Sequence, residues 1–369
     1  MGNLLKDIYS TEFYEGFSQV LGELIPDFIP EKFRQLIFDE NWPGKELKQR
    51  MRHTSLVLHQ FLPEEFQQAA KTIEKIIEKL RQHHVREPNL EYMFLADYIE
   101  VFGMHDFKNS INLIEFVTPF ASCEYAVRPF IIKYGDNMLQ QMHRWSSHKN
   151  HHVRRLASEG TRPRLPWAIA LPELKKDPAP ILPLLEKLKN DPSEYVRRSV
   201  ANSLNDISKD HPDIVIAIAQ KWKGVSKETD GVIRHGCRTL LKQGNPEMLN
   251  YYGLNDHTAI ELSKVKIHTP EVKTGHDLLF SFTLHHKGPT DKTIRLEYAI
   301  YYLLQNGKHS RKVFKISERV YQANESVTMQ RKQKFKIITT RKFYPGPHKV
   351  SLIINGKEQD IFNFELLRE

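Results

Sequence analysis

Carboxylates, arginines and an indole ring crowd into two short stretches of this chain. Residues 153–167 read Val-Arg-Arg-Leu-Ala-Ser-Glu-Gly-Thr-Arg-Pro-Arg-Leu-Pro-Trp and so hold Arg154, Arg155, Glu159, Arg162, Arg164 and Trp167. Residues 124–128 add Glu124 and Arg128. Arginine's planar fork suits phosphate because it donates two parallel hydrogen bonds. An indole face attracts a cation, an effect worth roughly 0.5–2 kcal/mol. Pro163 and Pro166 restrict the backbone near Trp167, so the ring is presented with little entropy left to lose. Neighbouring arginines favour the charged form of a carboxylate. Together these groups suit a site that meets DNA and a cationic base at once.

The same residues admit plainer roles. Glu124 and Arg128 are four apart, as are Arg155 and Glu159. On helices each pair is an ordinary ion pair worth only ~0.2–0.5 kcal/mol. A lone tryptophan is commonly a core plug. Trp145 and Trp222, at the ends of helical segments and outside any basic, proline-locked setting, are assigned to cores. His143, His148, His151 and His152 straddle a turn with no cysteine or acidic partner at ligand spacing, so no metal and no cofactor is expected.

The elements that must hold these groups are helices. Apolar residues recur at helical spacing: Phe13, Phe17, Val20 and Leu21, then Phe33, Leu36 and Ile37, then Phe66, Ala69, Ala70, Ile73, Ile76, Ile77 and Leu80. Pro26, Pro30, Pro43-Gly44, Pro63, Pro88, Gly103 and Pro119 separate them. Val153-Arg154-Arg155-Leu156-Ala157 recurs as Val196-Arg197-Arg198-Ser199-Val200-Ala201, and in degraded form as Ile233-Arg234-His235-Gly236-Cys237. A period near ~40 residues built of helix pairs marks HEAT-type arrays, which stack into a solenoid with a concave binding face. Asp191-Pro192-Ser193 is a helix start, and so is His211-Pro212-Asp213. Tyr125 to Phe130 looks like an earlier, shorter relative. In residues 153–167 the repeat helix is expected to stop at Gly160.

Composition changes near Asn255. Alternating strands are expected at 260–267, 277–286, 293–304, 310–320, 325–337, 347–355 and 360–367. Asn306-Gly307 and Asn355-Gly356 are hairpin turns. Seven strands of this kind suit an immunoglobulin-like sandwich without the antibody disulfide. Tyr344-Pro345-Gly346-Pro347-His348 has the look of a tyrosine corner. The expected architecture is multidomain: an all-α HEAT-like repeat superhelix over residues 1–255, which would bind DNA and carry the chemistry, then an all-β immunoglobulin-like sandwich over residues 256–369.

Charge follows that order. The net charge of +9 divides as −7 over residues 1–124, +7 over 125–257 and +9 over 258–369. Basicity on the later two thirds favours a polyanionic partner, although a solvated basic surface would give the same count. No apolar run approaches the ~18 residues of a membrane span. The N-terminus lacks a secretory pattern, and Lys6 breaks the myristoylation motif. Cys123 and Cys237 stand far apart, as in a disulfide-free cytosolic protein.

Three stretches resemble one family: Glu46 to Arg52, Thr118 to Phe130, and Val153 to Trp167. The chain resembles the AlkC-type DNA alkylation-repair glycosylases of the HEAT-like repeat superfamily, in the larger form with an added immunoglobulin-like domain. The resemblance spans essentially the whole chain. It implies a monomeric bacterial cytoplasmic enzyme, nucleoid-associated when bound to alkylated double-stranded DNA. Its reaction would cleave the N-glycosidic bond of cationic bases such as 3-methylcytosine, 3-methyladenine and 1-methyladenine, without full base flipping. It places Glu124 and Glu159 facing the lesion, adds Asp206 as a third acidic position, and makes Trp167 the aromatic of the site.

That chemistry has simple needs. A ring-alkylated base leaves as a neutral molecule, so no general acid is required. What remains is an oxocarbenium-like sugar and a water, and ionised carboxylates serve both. Phosphate contacts are expected from Arg154, Arg155, Arg162, Arg164, Arg197 and Arg198. Lys332, Lys334 and Lys336, alternating along one strand, offer a second basic wall. A catalytically inactive HEAT-repeat DNA binder is the alternative; it should lack the acids or the aromatic. A protein-binding HEAT adaptor should lack the salt dependence of a phosphate reader.

Overall fold

A computed structural model describes residues 4–336 and 342–368. Among them, sixteen α-helices run as far as Tyr251, and eight strands begin at Ile260. Packing divides the chain into two compact units. One comprises Met1–Val215 with Lys221–Gly236, the other Ile216–Gln220 with Cys237–Glu369.

In the first unit, apolar periodicity sets the buried faces. Helix Phe66–Gln82 buries Ala69, Ala70, Ile73, Ile76, Ile77 and Leu80 and turns its lysines and glutamates outward. Short polar side chains satisfy the free N–H groups at helix starts. Ser10 accepts from the Phe13 amide at 3.2 Å, Asp106 from Asn109 at 3.2 Å, and Asn150 from His152 at 2.8 Å.

The repeat becomes three helices, His151–Gly160, Glu194–Ile207 and Lys227–Gly236, with the middle one packed between the others. Ser158 donates to Ser199 at 2.7 Å across the first contact. Gly236 allows the second contact, since a Cβ there would stand 3.0 Å from Cβ of Leu204. The first helix stops at Gly160, where a Cβ would meet Val127 Cγ2 at 2.5 Å. One local expectation fails. The helix expected to carry Glu124 starts only at Val127, so Glu124 lies in the turn before it.

The second unit takes in the last short helices, Arg238–Lys242 and Pro246–Tyr251, and from Ile260 on is a two-sheet sandwich. Its strands are β1 (Ile260–Ile267), β2 (Glu271–Lys273), β3 (Asp277–His286), β4 (Lys292–Leu303), β5 (His309–Tyr321), β6 (Ser326–Lys334), β7 (Gly346–Ile354) and β8 (Lys357–Leu367). One sheet has the order β1-β3-β6, the other β2-β8-β7-β4-β5. Alternate residues of β3, Leu278, Phe280, Phe282 and Leu284, share the core with Ile294, Leu296, Tyr298 and Ile300 of β4. Asn355 and Gly356 form a two-residue hairpin loop with both φ values positive, the backbone this dipeptide favours. β2, three residues paired parallel to β8, was too short to show alternation. Residue 337, the end of the strand expected at 325–337, lies outside the described residues. Among the described residues the Tyr344 hydroxyl donates to the Gln305 side chain at 3.4 Å; residues 337–341, part of the upstream backbone that a tyrosine corner would use, lie outside the described residues.

Candidate active site

Glu124, Glu159 and Asp206 come from three separate segments, and guanidinium groups join them into one chain of ion pairs. Arg155 Nη1 donates to Glu124 Oε2, and its Nη2 lies 3.6 Å from Glu159 Oε1. Arg162 Nη1 donates to the same Glu159 oxygen at 2.6 Å, while its Nε donates to Asp206 Oδ2 at 2.8 Å. Lys209 closes the row on Asp206 Oδ1 at 3.1 Å. Burial alone would lower the pKa of Arg155 and Arg162. The carboxylates outweigh it, Glu124 and Glu159 on Arg155, Glu159 and Asp206 on Arg162, so both are raised.

The row is graded in exposure. Glu159 and Asp206 are 4% and 2% exposed, whereas Glu124 is half-buried. Glu124 also accepts from Ser122 Oγ at 2.7 Å. It lines a cleft of about 250 Å³ with Ser122, Tyr125, Arg155 and Tyr195. The Arg155 guanidinium lies 4.6 Å over the Tyr195 ring. Thus one end of the network is open and the other is packed.

Trp167 is 64% exposed. Its φ of +65° is the left-handed region, which costs a bulky residue about 1–3 kcal/mol. Its carbonyl accepts from Lys48 Nζ. By contrast, Trp145 and Trp222 are buried core residues, as expected, with Nε1 donating to Glu115 at 2.6 Å and to Glu186 at 2.7 Å.

The expected Glu124–Arg128 pair does not form. With Glu124 outside the helix, its partner is Arg155, 31 residues on. Arg128 is fully buried and donates instead to backbone carbonyls: Gly160 at 3.0 Å, Arg162 at 2.7 Å and Ile169 at 2.5 Å.

Two family models match this chain. Residues 65–240 match "DNA alkylation repair enzyme", and residues 261–368 match "Uncharacterised protein YhaZ, C-terminal Ig-like domain". Uncharacterized protein YhaZ of Bacillus subtilis strain 168 is 41% identical over 362 residues, covering 98% of this chain and 99% of that protein. A solved structure of Pseudomonas fluorescens alkylpurine DNA glycosylase AlkC, bound to DNA containing an abasic site analog, is similar with a TM-score of 0.91. It is 33% identical, over 99% of this chain and 100% of that one. The chain belongs to the AlkC-type DNA alkylation-repair glycosylase family.

In this family member the arginines expected at phosphate divide by position. The first arginine of each Val-Arg-Arg is engaged inside its own repeat. Arg154 donates to the carbonyls of His148 and Lys149, both at 2.9 Å, and Arg197 to those of Asp191 and Pro192 at 2.6 and 3.0 Å. Each reaches back six and five residues to the turn before its helix. Arg154 also grips Asp191 through two bonds, at 2.6 and 2.9 Å. The second arginine points elsewhere: Arg155 into the acidic row, and Arg198 outward with its side chain 69% exposed, 4.0 Å from Glu194. Arg164 pairs with Asp210 at 2.6 Å. Lys332 and Lys334 are exposed on β6, an edge strand, with exposed Lys336 just beyond it. Lysines there also discourage edge-to-edge pairing.

Sequence spacing missed the roles of Arg128, Ser122 and Tyr195. Their partners lie more than thirty residues away in the chain, except for Ser122 on Glu124. The only local sign was the crowding of Ser122, Glu124 and Arg128 around one helix start.

Proposed function

We propose that this glycosylase hydrolyses the N-glycosidic bond of cationic, N-methylated bases in duplex DNA, among them 3-methyladenine, 1-methyladenine and 3-methylcytosine. The observation that carries the reading is the guanidinium-linked row of Glu124, Glu159 and Asp206, on the same loop-and-helix assembly as the exposed Trp167. The relative of known structure is an alkylpurine DNA glycosylase, bound to DNA with an abasic site analog. An abasic site is what base release leaves behind.

The step balances without an acid. The C1′–N bond breaks, its electron pair passes to the cationic ring, and the base leaves neutral. Glu124, at the open end of the row, is proposed to stabilise the developing positive charge at C1′ and to orient the attacking water. That water forms the new C–O bond, and its proton passes to a carboxylate. Glu159 and Asp206 are proposed to supply negative potential from behind, held by Arg155 and Arg162. Trp167 is proposed to lie against the cationic base or its deoxyribose, so that the base need not leave the stack completely. No cofactor enters this scheme.

Phosphate contacts in this scheme draw on Arg198, and on Lys332, Lys334 and Lys336 for DNA reaching the second unit. Arg154, Arg155, Arg162, Arg164 and Arg197 each already hold partners within the protein and are proposed to contribute less to phosphate binding. The protein is proposed to act as a monomer in the bacterial cytoplasm. No helix among the described residues is long and apolar enough to cross a membrane.

Release of free methylated base from alkylated duplex DNA tests the reading. Wild type should release base. Glu124→Ala and Trp167→Ala should each slow release by about 10²-fold or more, the size typical of losing an electrostatic or positioning group. A wild type that binds alkylated DNA but releases nothing would instead favour the inactive DNA binder.

A further inference from the structure

Arg128 is an odd residue to find in a packed interior. It is 0% exposed, and among the described residues its Nη2 has no hydrogen-bond partner. Burial, then the nearby charge of Arg162, lowers its pKa to about 10. A guanidinium so placed is a poor choice for stability alone, since a well-packed apolar side chain avoids its desolvation. What it does is geometric. Gly160 and Arg162 lie where the chain leaves helix His151–Gly160; Ile169 lies where the loop returns past Trp167. One side chain therefore holds both ends of the segment that displays the indole, by the three carbonyl bonds described above.

Side chains of the loop anchor its outgoing half, Arg162 on Glu159 and Asp206 and Arg164 on Asp210, but the backbone bonds around Trp167 are long. Ala168 bonds to Leu165 at 3.2 Å and Leu171 to Pro163 at 3.3 Å, both at the long end of the range for backbone bonds. Trp167 itself sits at an unfavourable φ, which persists only if its surroundings over-determine it. Lys48, from helix Leu47–His59, grips the Trp167 carbonyl from outside and lies 5.1 Å over the Tyr125 ring.

We propose that Arg128 is a positioning residue for base release, with Lys48 as its outer counterpart: together they hold the 160–169 loop so that Trp167 stays displayed beside the Glu124–Glu159–Asp206 row. This rests on the glycosylase reading for its kinetic consequence, but not for its structural one. Arg128 acts through backbone carbonyls and Trp167, and touches neither DNA nor water of reaction. Lysine at 128 keeps the charge but lacks the fork that reaches three carbonyls.

The test combines spectroscopy and kinetics on the full chain. With 5-fluorotryptophan in place of its four tryptophans, the protein should give four fluorine resonances, Trp167's being the one lost in Trp167→Phe. In Arg128→Lys the Trp167 resonance should shift or broaden while the other three hold. Base release at saturating DNA should fall about 30-fold or more, as expected for a misplaced group, with KM within about threefold. In a Trp167→Ala background the same change should cost less than about threefold, because the route through Trp167 is already gone. An unmoved Trp167 resonance, or a full loss multiplied onto Trp167→Ala, overturns the proposal. If Arg128→Lys fails to fold, Lys48→Met decides. It should move the Trp167 resonance alone, and a wild-type spectrum overturns the proposal. A wild type without base release would reject the glycosylase reading, while the resonances would still judge the clamp.

Discussion

Single arginines in this protein look alike in sequence and differ completely in place. Arg154 and Arg197 satisfy carbonyls of the turns before their own helices, whereas Arg198, next in the chain, faces solvent. Opposite phenotypes follow. Arg154→Ala removes the partner of Asp191, which is 6% exposed, and should lower unfolding free energy by about 3 kcal/mol, the range for breaking a buried pair. Arg198→Ala should leave thermal and denaturant melts unchanged. It should instead flatten the slope of log affinity against log salt by about one contact's worth, roughly 0.9. A stable Arg154→Ala protein with a flattened salt slope would reverse these assignments. Glu124 teaches the same lesson. Its four-residue spacing to Arg128 suggested a helical pair, but the helix begins three residues too late for that geometry. The true partner, Arg155, comes from another repeat, beyond the reach of a local pattern.

At the scale of elements, the repeat period and the stop at Gly160 were legible because periodic apolar faces, prolines and glycines act locally. The helix ends at Trp145 and Trp222 were equally readable as core anchors. Less visible was that each indole N–H is tied to a carboxylate from the preceding helix pair. Burial pushes the Glu186 carboxyl up, and hydrogen bonds from Lys189, Trp222 and Lys221 outweigh it, taking its pKa down to about 2. The folded-state pKa lies below the ordinary value of 4.5. This group therefore adds stability that is fully present above pH 4.5 and disappears as pH falls to about 2. Solvent screening keeps the effect modest, because the Glu186 side chain is 36% exposed. Denaturant melts over that pH window should show wild type losing stability relative to Glu186→Gln as acid is added. Parallel curves for the two proteins would show that Glu186 does not contribute to acid sensitivity. Among the described residues of the sandwich, seven of eight strands were readable from alternation; β2 escaped because three residues cannot display a period of two.

At the scale of the whole molecule, composition anticipated a polyanionic partner, and family membership agrees with it. Composition could not say which basic groups are available. Many arginines of the helical unit are bound to carboxylates of their own fold, while Lys332, Lys334 and Lys336 remain exposed on and beyond an edge strand. If they meet DNA, charge reversal of all three to Glu should weaken binding to alkylated and unmodified duplex alike. The salt slope should fall by up to about 0.9 per lost phosphate contact. An unchanged slope would leave these lysines only their role in guarding the edge of the sheet.

The row of Glu124, Glu159 and Asp206 is proposed to act on the reaction and not on DNA binding. Single-turnover release of methylated base from saturated duplex DNA, wild type beside Glu159→Gln, tests it most directly. Glutamine keeps the shape and an acceptor for Arg162 but removes the charge. Glu159→Gln should release base at least about 10²-fold more slowly than wild type while binding the same DNA equally well. Release at the wild-type rate by Glu159→Gln would show that the charge of the row plays no part in the reaction.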